Sequence, residues 1–215
     1  MKVQSYRNVG RIDLIPNTWL RDQERNQNGL AGISAGYPGY GLLYYAVLCR
    51  LKAESHNVIL EIGTNYGASS IVMAQALIDA GHPGRIHTIE LSAENAAIAA
   101  RNFISAGVNE YIDMTVGDSK QVLKNWDKPL IDIAFIDGSH EAKDVEDDFM
   151  LVYMILKQGG LVIFDNTTMG GVHTALKQIV GKYKRQLPFY FGSVVEFPFV
   201  SWDPPGMVFW SEGLL

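Results

Sequence analysis

The 215-residue chain has a single cysteine, Cys49. No disulfide can form within it, which excludes a fold stapled by sulfur. Long apolar runs are missing too. The longest, Leu42 to Cys49, is too short to cross a bilayer, and Met1 to Ile15 lacks the continuous apolar stretch of a signal peptide. Together these features lead to the expectation of a cytoplasmic protein with no membrane partner. Basic charge is scarce as well: 18 Lys and Arg face 23 Asp and Glu, for a net charge of −5. That balance argues against nucleic acid as the main partner. No internal repeat and no low-complexity stretch interrupts the chain. What is present is 47% hydrophobic residues, enough for one sizeable core.

The most informative stretch is Val58-Ile-Leu-Glu-Ile-Gly-Thr-Asn-Tyr-Gly-Ala-Ser-Ser70. Its apolar start, Val58 to Ile62, reads as a buried strand. The run breaks at Gly63 and Gly67, and a helix-compatible segment begins near Ser69. Glycines at such a turn let backbone N–H groups approach a ligand, and the new helix offers its positive end to an anion. Arg85-Ile-His-Thr-Ile-Glu90 reads as the next strand. It ends in a carboxylate suited to gripping two ribose hydroxyls. Glycine turn and acid together predict a nucleoside-bearing cofactor.

Strands and helices alternate from there on. After an N-terminal extension and cap loop, residues 1–41, a single domain is expected over 42–215. Leu42 to Lys52 reads as a helix, then a strand at 57–62, a helix at 67–81 and a strand at 85–90. Ala93 to Ala106 has helical apolar spacing, and Tyr111 to Val116 reads as strand three. Ser119 to Trp126 is a short helix and Ile131 to Ile136 strand four. A helix from Val145 to Lys157 is expected to stop at Gly159-Gly160, before strand five at Leu161 to Phe164 and a helix from Val172 to Lys184. Two β-rich segments, 189–197 and 207–210, close the chain as an edge hairpin. This alternation predicts an α/β fold, a parallel sheet with helices on both faces.

The glycine spacing, Glu61-x-Gly63-x-x-x-Gly67, departs from the dinucleotide pattern G-x-G-x-x-G. It resembles the first motif of class I S-adenosylmethionine-dependent methyltransferases. Charge agrees with the resemblance, because a carboxylate beside the loop attracts an ammonium and a sulfonium and repels a pyrophosphate. The resemblance implies a doubly wound, seven-stranded, mostly parallel sheet, the Rossmann-like methyltransferase fold, with a C-terminal antiparallel hairpin. It also implies that S-adenosylmethionine is held by Glu61, Gly63, Tyr66, Gly67, Ser69, Glu90, Leu91, Gly117, Asp118, Ser119 and Asp137. Ser34 would lie near the methionine end. Asp118 has a plainer alternative role, capping the next helix through an Asx turn.

Strand four ends at Asp137, in Asp137-Gly-Ser-His140, and strand five at Asp165-Asn166. If these strands are neighbours, their ends lie about 5 Å apart, and three oxygens point into one small volume. Two carboxylates so close repel unless a proton or a cation sits between them, and Mg²⁺ favours such oxygen ligands. The positions of Asp137, Asp165 and Asn166 are similar to the metal ligands of the catechol O-methyltransferase-like group. Asp137-Gly-Ser-His140 also resembles the bacterial branch that methylates sugars and natural-product hydroxyls. Catechol methyltransferases place a lysine where His140 stands, and the bacterial branch tends to carry a tyrosine where Ala142 stands. Histidine is a competent proton acceptor near neutral pH.

The resemblance thus implies an O-methyltransferase for a small hydroxylated molecule. Mg²⁺ or another divalent cation would be its metal, His140 its base, and Asp137 would lie beside the methyl donor. A second copy of the chain, as a homodimer, is the one macromolecular partner left open. Three alternatives remain at this point: a metal-free methyltransferase acting on another nucleophile, an NAD-linked oxidoreductase, and a non-catalytic cofactor-binding protein. Tyr37, Tyr40, Met169, Phe197 and Trp202 are candidates for the acceptor wall. Glu141, Asp144, Glu146, Asp147 and Asp148 read as a solvated helix face. Asp203-Pro-Pro205 reads as a turn in the final hairpin.

Overall fold

Short β-branched runs alternating with helices give this chain its layers. The computed structural model describes residues 39–183, 193–197 and 206–211. Its helices are α1 (Gly39–Leu48), α2 (Ala68–Ala80), α3 (Ala93–Ala106), α4 (Ser119–Lys124), α5 (Ala142–Ile155) and α6 (Gly170–Tyr183). Its strands are β1 (Asn57–Ile62), β2 (Gly84–Glu90), β3 (Ile112–Val116), β4 (Ile131–Ile136), β5 (Leu156–Phe164), β6 (Ser193–Phe197) and β7 (Met207–Ser211). The seven strands hydrogen-bond in the order β3-β2-β1-β4-β5-β7-β6. The pairs β2/β3, β1/β4 and β4/β5 are parallel, whereas β5/β7 and β6/β7 are antiparallel. The expected α/β sheet with a C-terminal antiparallel pair is therefore present. The chain divides into two compact units, one of residues up to Asn57 with Thr64–Val116, the other of Val58–Gly63 with residues from Gly117 onward.

In the first unit, α1 packs on α2. Leu43 and Val47 of α1 are fully buried, and the Tyr44 hydroxyl donates to Asp79 Oδ2 at 2.6 Å. Burial and the Asp79 carboxylate both push the Tyr44 phenol above its usual range. Helix α2 is buried on all sides over Ala68–Ala74, which its small residues allow. It stops at Gly81, whose left-handed backbone (φ 64°) returns the cap N–H to Ile78 and Leu77 carbonyls. In α3, Ala96, Ala99, Asn102 and Phe103 form the buried stripe, and Ser92 caps the start by accepting from the Asn95 N–H at 3.2 Å. Asn57 is fully buried at the entry to β1. Its amide donates to the carbonyls of Lys52, Ser55 and Pro83 and its oxygen accepts from the Lys52 N–H, joining the turn before β1 to the turn before β2.

In the second unit every residue of β4 is buried. The one acid in it, Asp132, accepts from the Val58 N–H at 2.9 Å and pairs with Lys157 Nζ at 2.7 Å, which accounts for a carboxylate inside a strand. Phe149, Tyr153, Phe164 and Trp210 form an aromatic core, with the Phe149 ring 5.6 Å from Phe164 and 5.9 Å from Trp210. One expectation fails here. Gly159-Gly160 does not cap α5, which ends at Ile155. The chain enters β5 at Leu156 and passes the glycines within the strand, at a register shift between the Ile131 and Ile133 pairings. Gly159 takes φ 72°, and a side chain on Gly160 would sit 2.6 Å from Leu156 Cδ1, so the pair serves this irregularity in the ladder. Helix α5 also starts three residues earlier than read, at Ala142.

The acidic face of α5 needs a second correction. Glu146 and Asp148 are buried, at 6% and 2% exposure, because they share a face with Val145, Phe149 and Val152. Asp147 does pair with exposed Lys143 at the surface. Most of the N-terminal extension, and the Asp203-Pro-Pro205 turn, lie outside the described residues.

Asn57→Ala should lower stability by about 2–3 kcal/mol, because it strands several buried backbone groups at once. Urea unfolding of the two proteins checks this. An unchanged midpoint would mean that Asn57 does not hold the two turns together.

Candidate active site

In the first unit the turn after β1 is built around Glu90. The Thr64 N–H donates to the Ile89 carbonyl at 3.3 Å, and Thr64 Oγ1 lies 2.5 Å from Thr88 Oγ1. Asn65 adopts a left-handed backbone, φ 48°, which aims its N–H at Glu90 Oε2, 2.7 Å away. The Ser92 N–H donates to Glu90 Oε1 at 2.9 Å. Glu90, 7% exposed, is thus locked by two backbone donors. Each carboxylate oxygen keeps a second lone pair for a ligand hydroxyl. Leu91 follows with 76% of its surface exposed, an apolar shelf beside the acid.

The glycines of this turn answer to the protein before any ligand. Gly67 has φ 90°, and a side chain there would meet Phe103 Cε1 at 2.4 Å. Asn102, fully buried, donates from Nδ2 to the Tyr66 carbonyl at 2.7 Å. Two adjacent residues of α3 therefore shape the loop, and sequence reading missed both. The spacing of Asn102 and Phe103 on the buried stripe of α3 was the available signal. Ser69 lies inside α2, buried, and the helix start at Gly67 has no side-chain cap.

In the second unit, Glu61 is fully buried on β1, opposite Phe135. The Asp137 N–H continues the β1/β4 ladder by donating to the Ile62 carbonyl at 2.9 Å, and the Asp165 N–H donates to the Ile136 carbonyl at 3.2 Å. Gly63, φ 95°, makes room for this approach: a side chain there would stand 2.1 Å from the Asp137 carbonyl oxygen. Ile136 pairs with Phe164, so Asp137 and Asp165 leave their strands side by side, as expected. Asp165 is buried at 6% exposure. Asn166 takes a left-handed backbone, φ 52°, and the Thr167 N–H donates to the Gly206 carbonyl at 3.1 Å.

His140 joins this group. Its Nε2 lies 3.7 Å from Asp137 Oδ1, with 39% of the histidine side chain exposed. At that distance the pair is an ion pair rather than a close hydrogen bond. Asp137 holds the imidazole above its usual value, and Asn166 and the Asp165 charge act in the same direction. Burial pushes the Asp137 carboxyl up, against the pull of His140. Asp137, His140, Asp165 and Asn166 therefore form one polar cluster. Among the described residues no group of three or more His, Cys, Asp or Glu side chains is arranged to hold a metal ion. The donor set here is two carboxylates and an amide oxygen, hard ligands of the kind Mg²⁺ takes.

The turn at Gly117 is engaged internally. Asp118 Oδ1 accepts from the Lys120 N–H at 3.0 Å and so caps α4, the plainer role considered for it. The Ser119 hydroxyl donates to Asp148 Oδ1 at 2.6 Å. Of the acceptor-wall candidates, Tyr40 and Met169 are half-buried. Tyr37, Trp202, the side chain of Phe197 and the cofactor candidate Ser34 lie outside the described residues. No helix among the described residues is long and apolar enough to cross a membrane.

Residues 60–167, half of the chain, match a family described as a methyltransferase domain. Catechol O-methyltransferase of Sus scrofa is 28% identical over 152 residues, covering 68% of this chain and 79% of that protein. Catechol O-methyltransferase of Mycobacterium tuberculosis is 30% identical over 113 residues, covering 53% of this chain and 49% of that protein. The chain thus spans only about half the length of the mycobacterial relative. An O-methyltransferase from Streptomyces achromogenes involved in tomaymycin synthesis, solved in complex with SAM, superposes with a TM-score of 0.70. It is 21% identical, over 94% of this chain and 89% of that one. An O-methyltransferase from Bacillus cereus in complex with SAH gives 0.69 at 21% identity, covering 93% of both chains. These two structures share the fold.

Burial pushes the Asp148 carboxyl up, more than the Ser119 hydroxyl pulls it down. A folded-state value above the unfolded one makes the charged form costly above the folded value, and that cost disappears below the unfolded value. Asp148→Asn keeps an acceptor for Ser119, so it should melt higher than the parent at pH 7, with the gap closing as pH falls through the acidic range. Calorimetric melts across pH test this; a constant gap, or a lower midpoint at pH 7, would contradict it.

Proposed function

Because the chain belongs to the methyltransferase-domain family, as a class I member of the catechol O-methyltransferase-like group, we propose that it moves a methyl group from S-adenosylmethionine to a hydroxyl oxygen of a small molecule. Membership of that family sets aside the NAD-linked oxidoreductase and the non-catalytic binding protein. The observation that carries the proposal is the cluster at the ends of β4 and β5, where a histidine base stands 3.7 Å from Asp137 beside Asp165 and Asn166.

When bound, S-adenosylmethionine supplies an electrophilic methyl group on its sulfonium. Glu90 is oriented by the Asn65 and Ser92 N–H groups to accept two ribose hydroxyls, and Leu91 offers apolar surface to the base. Gly63, Tyr66, Gly67 and Gly117 supply the turns that would line the cofactor in this reading, and Ser69 lies in the first turn of α2. In this reading Asp118 and Ser119 would meet the adenine edge with the atoms their helix cap and Asp148 bond leave over, and Glu61 would add negative charge. His140 takes the acceptor's proton on a ring nitrogen, while the acceptor oxygen forms its bond to the methyl carbon and the carbon–sulfur bond breaks, leaving S-adenosylhomocysteine. Asp137 stabilises the imidazolium so formed. Most of the acceleration in such a site comes from positioning and preset charge.

Asp137, Asp165 and Asn166 would hold a divalent ion such as Mg²⁺, which would supply positive charge to fix and acidify the acceptor hydroxyl. A second reading, without metal, is favoured by the direct Asp137–His140 pair, which orients a base without any cation. The acceptor is a sugar, phenolic or other natural-product hydroxyl, and the site is one for a soluble substrate in the cytoplasm.

A panel of hydroxylated acceptors, assayed by release of S-adenosylhomocysteine, tests the function. His140→Ala should lower kcat by about 10²–10⁴ with calorimetric affinity for S-adenosylmethionine retained. Asp165→Ala should match the loss that chelation imposes on the parent and show no further loss on chelation. If neither chelator nor Asp165→Ala alters turnover, the metal-free reading stands; if no acceptor yields product, the O-methyl transfer is wrong.

A further inference from the structure

Ser139 lies between Asp137 and His140, and its hydroxyl is used twice. It donates to Asp144 Oδ2 at 2.8 Å and accepts from the Glu141 N–H at 3.2 Å. The other Asp144 oxygen, Oδ1, faces Lys120 Nζ at 2.9 Å. Lys120 stands in the first turn of α4, next to Ser119, whose hydroxyl is held by Asp148. Two acids of α5, one turn apart, thus hold two separate segments of the proposed site: the Gly117–Ser119 turn and the Asp137–His140 loop.

On its far side the same loop is fixed by packing. A side chain on Gly171 would stand 2.0 Å from the His140 carbonyl oxygen, so α6 closes on the loop backbone there. The loop is held on one side by backbone contact and on the other by Asp144. Lys120 and Asp144 are each about one-third exposed or less, at 27% and 36% of their side chains, and their charges reinforce one another, raising the lysine and lowering the acid.

We infer that Asp144 is a positioning residue for the base, acting through Ser139 and sharing its carboxylate with Lys120. This rests on the reading of His140 as the proton acceptor. A general stabilising effect of an acid in the first turn of α5 predicts something different: loss of stability with no local loosening of the loop.

The test uses the full chain. Asp144→Ala and Ser139→Ala should each raise amide hydrogen exchange across residues 137–141 by about fivefold or more. Each should lower kcat by about tenfold with the KM for S-adenosylmethionine within about twofold. The double variant should loosen the loop by less than the sum of the two single effects, since the Ser139–Asp144 bond is lost in both. A Lys120→Asp, Asp144→Lys exchange restores the ion pair but removes the acceptor for Ser139. It should leave the loop unprotected, because a lysine at position 144 cannot accept from the Ser139 hydroxyl. Lys143→Ala, on the solvent side of α5, is the control and should alter neither exchange nor kcat. Unchanged exchange in either single variant, or fully additive effects on exchange, would overturn the assignment whatever the enzyme does. Loosening without loss of kcat would support the anchor and remove His140 from the chemistry. A parent with no activity would count against the proposed function and leave the exchange result to decide the anchor.

Discussion

The site depends on how closely the backbones at the ends of β1, β4 and β5 approach one another. The Asp137 N–H reaches the Ile62 carbonyl and the Asp165 N–H reaches the Ile136 carbonyl. Each bond carries the ladder one residue beyond its strand. That extra step puts two carboxylates at neighbouring positions, and it is open only because Gly63 has no side chain to strike the Asp137 carbonyl. The electrostatics follow from this placement. Burial raises the Asp137 carboxyl, and the gathered negative charge raises His140.

Glu90 shows a related economy. An acid read from the sequence as a ligand contact is also the clamp of the loop before it, through the N–H groups of Asn65 and Ser92. Both bonds come from the backbone, and the one from position 65 depends on a residue that tolerates a left-handed conformation, as asparagine does. Asn102 and Phe103 complete the loop from α3, one by a hydrogen bond and one by occupying the space a side chain on Gly67 would need. The loop is thus organised by the protein's own contacts.

Much of this was legible from residue order. The short apolar runs marked β1 and β4 closely, because both strands are buried on both faces. Ala93–Ala106 was legible through its helical stripe and the glycine that follows. The positions of Asp137, Asp165 and Asn166 could be named because each stands just beyond a strand end, whereas His140 is named from the family resemblance. The Gly159-Gly160 pair misled for a physical reason. Glycine serves helix caps and irregularities within strands equally well, and only the pairing of β5 with β4 selects the second. The acids of α5 misled because a charge pattern does not say which side of a helix meets a neighbour. Glu146 and Asp148 are buried with Phe149.

The sequence alone determined the alternation of strands and helices, the glycine turn, and the acids at the strand ends, since all are local consequences of side-chain size, branching and charge. Tertiary structure decided which of those ends meet. The parallel register of β1, β4 and β5 is set by packing across long sequence separations, as are the sharing of Asp144 between Lys120 and Ser139 and the fit of Phe103 against Gly67. No local pattern carries such contacts, because each depends on groups that become neighbours only when the core closes.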